Sequence, residues 1–157
     1  GNSDCHEKDI AQKYQYWDAS LCDGNYSDAV ADTRAALAFL SAQTDVKNGV
    51  FIAGYSFGAV VGSIVGGDTG CVKAFASISM PFGVYSVGFL NGCKKTKLFI
   101  YSQKDFATTV DDTFKGFAQI PSPKILELIE NSDHFYRKQE TLISQKVCAF
   151  FLECLKA

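Results

Sequence analysis

The stretch Val50-Phe51-Ile52-Ala53-Gly54-Tyr55-Ser56-Phe57-Gly58-Ala59 decides how this chain folds. Val50 to Ala53 is a short apolar run that stops at Gly54, and it reads as a buried strand. The small residues that follow predict a helix from about Phe57 to Gly66. Between the two, Gly54-Tyr55-Ser56-Phe57-Gly58 fits the pattern G-x-S-x-G. With 13 glycines in 157 residues, chance supplies only about 0.09 such matches before any demand on context. A strand-to-helix turn this tight holds its central residue in a strained backbone conformation. The serine hydroxyl then stands clear of the strand end, at the positive end of the following helix. The Phe57 amide points to where an oxyanion would develop. Ser56 is therefore the candidate nucleophile. The plainer alternative is a glycine-rich turn packed for steric reasons, with Ser56 as a polar cap.

Outward from this turn, short apolar runs alternate with amphipathic stretches. Ser27 is placed to cap a helix reaching about Ser41, with Val30, Leu37 and Leu40 at near-helical spacing. Val72 to Met80 reads as a second strand stopped by Pro81, and Lys97 to Ser102 as a third. Val110 to Ala118 reads as a helix, and Lys124 to Ile129 as a fourth strand. The last helix runs from about Gln139 to Leu155, with Ile143, Val147, Phe150, Phe151 and Cys154 as its buried stripe. Strands separated by helices or long crossovers pair in parallel. The expected class is α/β: a parallel sheet of about four strands flanked by helices, in one domain spanning residues 1–157. Loops at the carboxyl ends of such strands carry the chemistry.

A serine hydroxyl needs a general base, and histidine is the side chain suited to neutral pH. The chain has two. His6 lies in the polar amino-terminal segment, before the nucleophile. His134 follows the fourth strand and comes after Ser56, so it is the candidate base. The acid that would orient its imidazole is expected just past the third strand, where Asp105 stands. The competitors are Asp111 and Asp112, which read as a helix start, and Asp133, which is adjacent to His134.

Composition narrows the remaining classes. The chain is 47% hydrophobic and 20% charged with a net charge of −2. That balance is ordinary for a globular domain and gives no general attraction to nucleic acid or anionic membranes. No apolar run approaches the ~20 residues of a spanning helix. No phosphate-loop or dinucleotide glycine pattern occurs, and no Cys-x-x-Cys pair supports a metal site, so no cofactor or metal is expected. The six cysteines read as reduced, buried thiols, with three disulfides in a secreted protein as the alternative that their even number permits. The expected compartment is the cytoplasm.

Taken together these residues resemble the α/β-hydrolase superfamily, and within it the small, lid-poor, dienelactone-hydrolase-like branch. That branch carries a Gly-x-Ser-Phe-Gly-Ala elbow, a strand ending near Asp, and an Asp-His-Phe segment. Here these read Gly54 to Ala59, Leu98 to Asp105, and Asp133-His134-Phe135. Ser102 and Gln103 stand where such proteins often place Gly before the acid. The resemblance covers about Ser27 to the carboxyl terminus. It implies a serine hydrolase acting on a small ester or thioester through Ser56, Asp105 and His134. A non-catalytic hydrolase-like binding module is the alternative.

The usual fold has about four strands before the elbow, and there is no room for them here. Gly1-Asn2-Ser3 is similar to the turn after the last of those strands. The resemblance thus implies a domain truncated at its amino terminus, lacking the loop that carries the second oxyanion donor. The elbow strand would then be a sheet edge, open to self-association unless Gly1 to Asn25 covers it. The apolar loop Pro81 to Thr96 is expected to shape a small acyl pocket. Tyr55, Phe82, Tyr85 and Phe89 are the candidate substrate-binding residues, with core packing as the alternative for the last three.

Overall fold

The computed structural model describes residues 26–43 and 49–156. His6, Cys5, Cys22, the Gly1-Asn2-Ser3 turn and the possible cover from Gly1 to Asn25 lie outside them. Helix α1 (Ser27–Gln43) is followed by β1 (Val50–Tyr55), α2 (Phe57–Asp68), β2 (Val72–Ile78) and a single 3-10 turn, Gly88–Leu90. Then come β3 (Thr96–Lys104), α3 (Val110–Gln119), β4 (Lys124–Asp133) and α4 (Glu140–Lys156). The strands form one sheet in the order β1-β2-β3-β4. Every pairing is parallel. Each crossover is long enough to return the chain to the same end of the sheet, which is why neighbours in sequence are neighbours in space. Among the described residues β1 pairs only with β2, so the elbow strand is an edge.

The central strands are buried on both faces, which explains their nearly unbroken apolar runs. One face packs Phe75, Phe99, Val60, Leu90 and Met80 under α2, the 3-10 turn and α3. The other packs Ala74, Leu98, Ile100 and Ile129 against Phe150 and Tyr136. Each large side chain fully removed from water contributes roughly 1.5–3 kcal/mol. Phe150 is the buried member of the α4 stripe; Ile143, Val147, Phe151 and Cys154 are half-buried against the same cluster. On α1, Leu37 is buried and Val30 half-buried, but Leu40 is 44% exposed. There α1 packs on the small cluster around Val65 and Val72.

Two polar elements hold the sheet. Ser63 and Ser77 share a 2.6 Å hydrogen bond that ties α2 to β2. At the amino end of the sheet, Lys97 is 0% exposed. Its ammonium donates to the carbonyls of Cys93 (3.2 Å), Pro121 (2.9 Å) and Pro123 (3.1 Å). Burial holds its pKa below the usual lysine value, and the carbonyls supply what lost hydration no longer does. Among the described cysteines all are free, and Cys93 is buried. Cys148 is exposed, which corrects the reading of every thiol as buried: on α4 it lines an open groove beside Val147. No described helix is long and apolar enough to cross a membrane.

Candidate active site

The carboxyl ends of the strands bring four polar side chains together. Ser56 follows β1, Ser79 follows β2, Asp105 follows β3 and His134 follows β4. Ser56 sits at φ 54°, ψ −119° at the start of α2. A non-glycine residue there is strained. Two backbone bonds hold it: its amide donates to Ile78 (2.8 Å), and its carbonyl accepts from Ala59 (2.9 Å). A Cβ at Gly54 would overlap the carbonyl of Gly58, so the turn requires glycine at that position. A Cβ at Gly58 would meet nothing within 4 Å. The close approach therefore belongs to the first glycine of the pattern, not to both.

His134 reaches the site through a break in register. Ser102 pairs with Ile129, but Lys104 pairs with Asp133, so β4 advances two residues further than β3. Asn131 takes up the excess at φ 52°, and its amide donates to Gln103 (3.3 Å). The bulge lengthens β4 past the expected end at Ile129 and delivers His134 beside Asp105.

There the imidazole Nδ1 lies 2.8 Å from Asp105 Oδ1, and Nε2 lies 3.1 Å from Ser56 Oγ. The His134 and Asp105 side chains are 5% and 1% exposed. Burial alone would raise the Asp105 pKa. Hydrogen bonds from His134, from the Ala107 amide and from Ser79 outweigh it and hold the carboxyl below its usual value. An ionised carboxylate only accepts, so Nδ1 carries the proton and Nε2 accepts from the Ser56 hydroxyl.

The other acids are engaged elsewhere. Asp133 accepts from the Phe135 amide (2.9 Å) and Arg137 (3.0 Å). Asp111 pairs with Lys115, and Asp112 closes the cap of α3 with Thr109. Among the described residues no cluster of His, Cys, Asp and Glu could hold a metal.

Residues beyond the sequence reading complete the arrangement. Ser79 is 1% exposed at φ 47°, and its hydroxyl donates to Asp105 Oδ2 (2.8 Å). Having given up its proton, Ser79 accepts from Tyr136 Oη (2.7 Å). Burial raises the Tyr136 pKa to about 12. Ser79 was discoverable: it stands at the carboxyl end of a strand, the position that marks chemistry in such sheets. Tyr136 carried no comparable signal.

Tyr55 is joined to the site through its backbone neighbour. Its hydroxyl donates to the His134 carbonyl (2.9 Å), and its ring lies 5.3 Å from the imidazole. It also lines an apolar groove of about 390 Å³ with Ile78, Tyr136, Ile143 and Val147 on the α4 side. Phe82, Tyr85 and Phe89 are half-buried against the core cluster under α2 and α3. Phe57, the first residue of α2, has an amide with no intrahelical partner, as at every helix start.

No protein-family model and no curated protein matches the chain. Solved structures do. An α/β serine hydrolase homologue from Coxiella burnetii is 22% identical with a TM-score of 0.69, over 78% of this chain and 58% of that one. A protein of unknown function from Agrobacterium tumefaciens, a candidate α/β hydrolase, is 22% identical with a TM-score of 0.67, over 79% and 58%. The esterase domain of a Rhodothermus marinus protein is 20% identical with a TM-score of 0.58, over 67% and 60%. The fold is that of the α/β hydrolases. The chain spans 58% of the length of the first two of these relatives.

Proposed function

We propose that the protein is a serine hydrolase that cleaves a small ester or thioester by acyl transfer. The observation that carries this reading is the buried series Ser56–His134–Asp105 at 3.1 Å and 2.8 Å, built on a strained serine. Ser56 Oγ attacks the carbonyl carbon while His134 Nε2 takes its proton. The Phe57 amide faces the developing oxyanion, and Asp105 fixes the imidazole tautomer and stabilises the imidazolium. His134 then protonates the leaving group, and water releases the acyl chain by the reverse sequence. Tyr55 borders the site. Phe82, Tyr85 and Phe89 bound the acyl side, and their packing into the core keeps that side small, so short acyl groups are preferred.

The test is a fluorophosphonate followed by mass spectrometry. The adduct is expected on Ser56, and labelling that survives Ser56→Ala refutes the assignment. A second reading is a non-catalytic module that binds a partner, or a second copy, along the β1 edge. The β1 strand, which among the described residues pairs only with β2, favours it, and an unlabelled Ser56 would support it.

A further inference from the structure

We infer that Tyr55 is a positioning residue for this site: it holds His134 by its backbone carbonyl, so that the imidazole meets Ser56. The inference rests on the hydrolase reading above and gives Tyr55 a part in it beyond bordering the site.

Nucleophile and base come from opposite sides of the sheet. Ser56 follows β1 and His134 follows β4, with β2 and β3 between them. Neighbouring strands are about 4.8 Å apart, so β1 and β4 lie too far from each other for backbone pairing to fix the base to the nucleophile. Two consecutive residues of the elbow make the connection instead. Ser56 Oγ lies 3.1 Å from His134 Nε2, and Tyr55 Oη donates to the His134 carbonyl at 2.9 Å. The histidine is thus held at its ring and at its backbone by neighbours in sequence.

The backbone hold falls where the chain needs one. His134 is the second residue of a turn in which the Tyr136 amide donates to the Asp133 carbonyl (3.2 Å). A bond from first to fourth residue leaves the carbonyl of the second unused. His134 is buried, and a buried carbonyl calls for a donor; Tyr55 supplies it. Asn131 and Tyr136, on either side of the histidine, are held at φ 52° and 48°, where side chains are uncommon. A segment strained in this way keeps its shape only while its surroundings over-determine it. Asp105 fixes the ring through Nδ1, and Tyr55 fixes the backbone that aims the ring. Burial, and then the Asp105 and Asp133 carboxylates, raise the Tyr55 pKa, so the hydroxyl keeps the proton it donates. With that proton committed to the carbonyl, Tyr55 has none to give a substrate.

The test is Tyr55→Phe, which keeps the ring 5.3 Å from the imidazole and removes the donor alone. A fluorophosphonate forms a bond from phosphorus to Ser56 Oγ as fluoride departs and His134 takes the serine proton. Its saturating rate therefore reads the base, and its half-saturating concentration reads binding. The saturating rate should fall by about threefold to tenfold, the range of one lost hydrogen bond. Half-saturation should stay within about twofold of wild type, and kcat for p-nitrophenyl acetate should fall with KM held. In proton NMR, the deshielded Nδ1 proton shared with Asp105 should exchange with water faster in the variant; the chain has two histidines, so its signal is assignable. A lower melting temperature at an unchanged saturating rate would make Tyr55 a packing residue. A raised half-saturation at an unchanged rate would make it a substrate contact. Either result overturns this inference and leaves the hydrolase reading standing. A wild-type Ser56 that takes no fluorophosphonate would remove both.

Discussion

Ser79 donates a 2.8 Å hydrogen bond to Asp105 while its own backbone is held at φ 47°. The bond occupies the carboxylate oxygen that His134 does not use, so Asp105 can present only Oδ1 to the imidazole. Replacing Ser79 by Ala should cost about 1.5–3 kcal/mol at neutral pH, the range for a hydrogen bond to a charged group. The sign of its pH dependence follows from the depressed Asp105 pKa. The ionised form is favoured in the folded state, so this stabilisation is present above the unfolded value of about 3.9 and is lost as pH falls through the folded one. Urea midpoints of wild type and Ser79→Ala should converge as pH drops from 7 towards about 3. A constant gap would reduce Ser79 to a packing role.

Tyr136 predicts the opposite limb. Its pKa rises from 10.0 to about 12. A raised folded-state pKa gives stability that is complete below 10.0 and disappears as pH climbs through about 12. Over those two units the wild type should lose on the order of 3 kcal/mol that Tyr136→Phe does not lose. Denaturant titrations at alkaline pH measure it, and parallel curves for the two proteins would contradict it.

The two glycines of the elbow should behave differently. Gly54→Ala drives a methyl into the Gly58 carbonyl and should destabilise by at least about 3 kcal/mol. Gly58→Ala adds its methyl to open space within a helix and should stabilise by about 0.5–1 kcal/mol. Thermal or urea unfolding of the two variants decides it. A costly Gly58→Ala would mean that the elbow is tighter than its backbone geometry indicates.

Asp105→Asn should leave the site assembled and silence it. The amide can present its NH₂ group to Nδ1, which favours the tautomer with its proton on Nε2, the wrong one for a base. Fluorophosphonate labelling of Ser56 should slow by on the order of 10³–10⁴-fold with little change in melting temperature. A labelling rate near wild type would exclude Asp105 from the chemistry.

The sheet was legible because its strands are apolar runs cut by Gly and Pro, and because their crossovers leave parallel pairing as the natural solution. Ser56, Asp105 and His134 could be singled out for one reason: each follows such a run in chain order. Ser79 and Tyr136 interact across 57 residues, and no local pattern encodes that distance. The bulge at Asn131 was equally hidden, since the apolar signal fades at Ile129 and the strand continues on backbone pairing alone. Phe82, Tyr85 and Phe89 show the limit of composition, because an apolar loop looks the same whether it lines a cleft or packs on a core, and these three are half-buried against one. Aromatic residues in a loop announce burial as readily as exposure, and only the fold separates the two.

The placement of Ser56, Ser79, Asp105 and His134 immediately beyond four successive strands makes the sheet a jig for the reacting groups. Spacing between them is set by the hydrogen-bonded distance from one strand to the next, about 4.8 Å, and hardly at all by the connections on the far side. Crossovers such as 81–95 or 106–123 can accordingly gain or lose residues, exchanging one set of walls for another, while the separations at the centre stay constant. Deleting a single residue inside β4 has the reverse outcome: every later side chain turns to the opposite face, and His134 leaves the cluster even though the sheet survives. Laboratory diversification of this scaffold should therefore be confined to the crossovers.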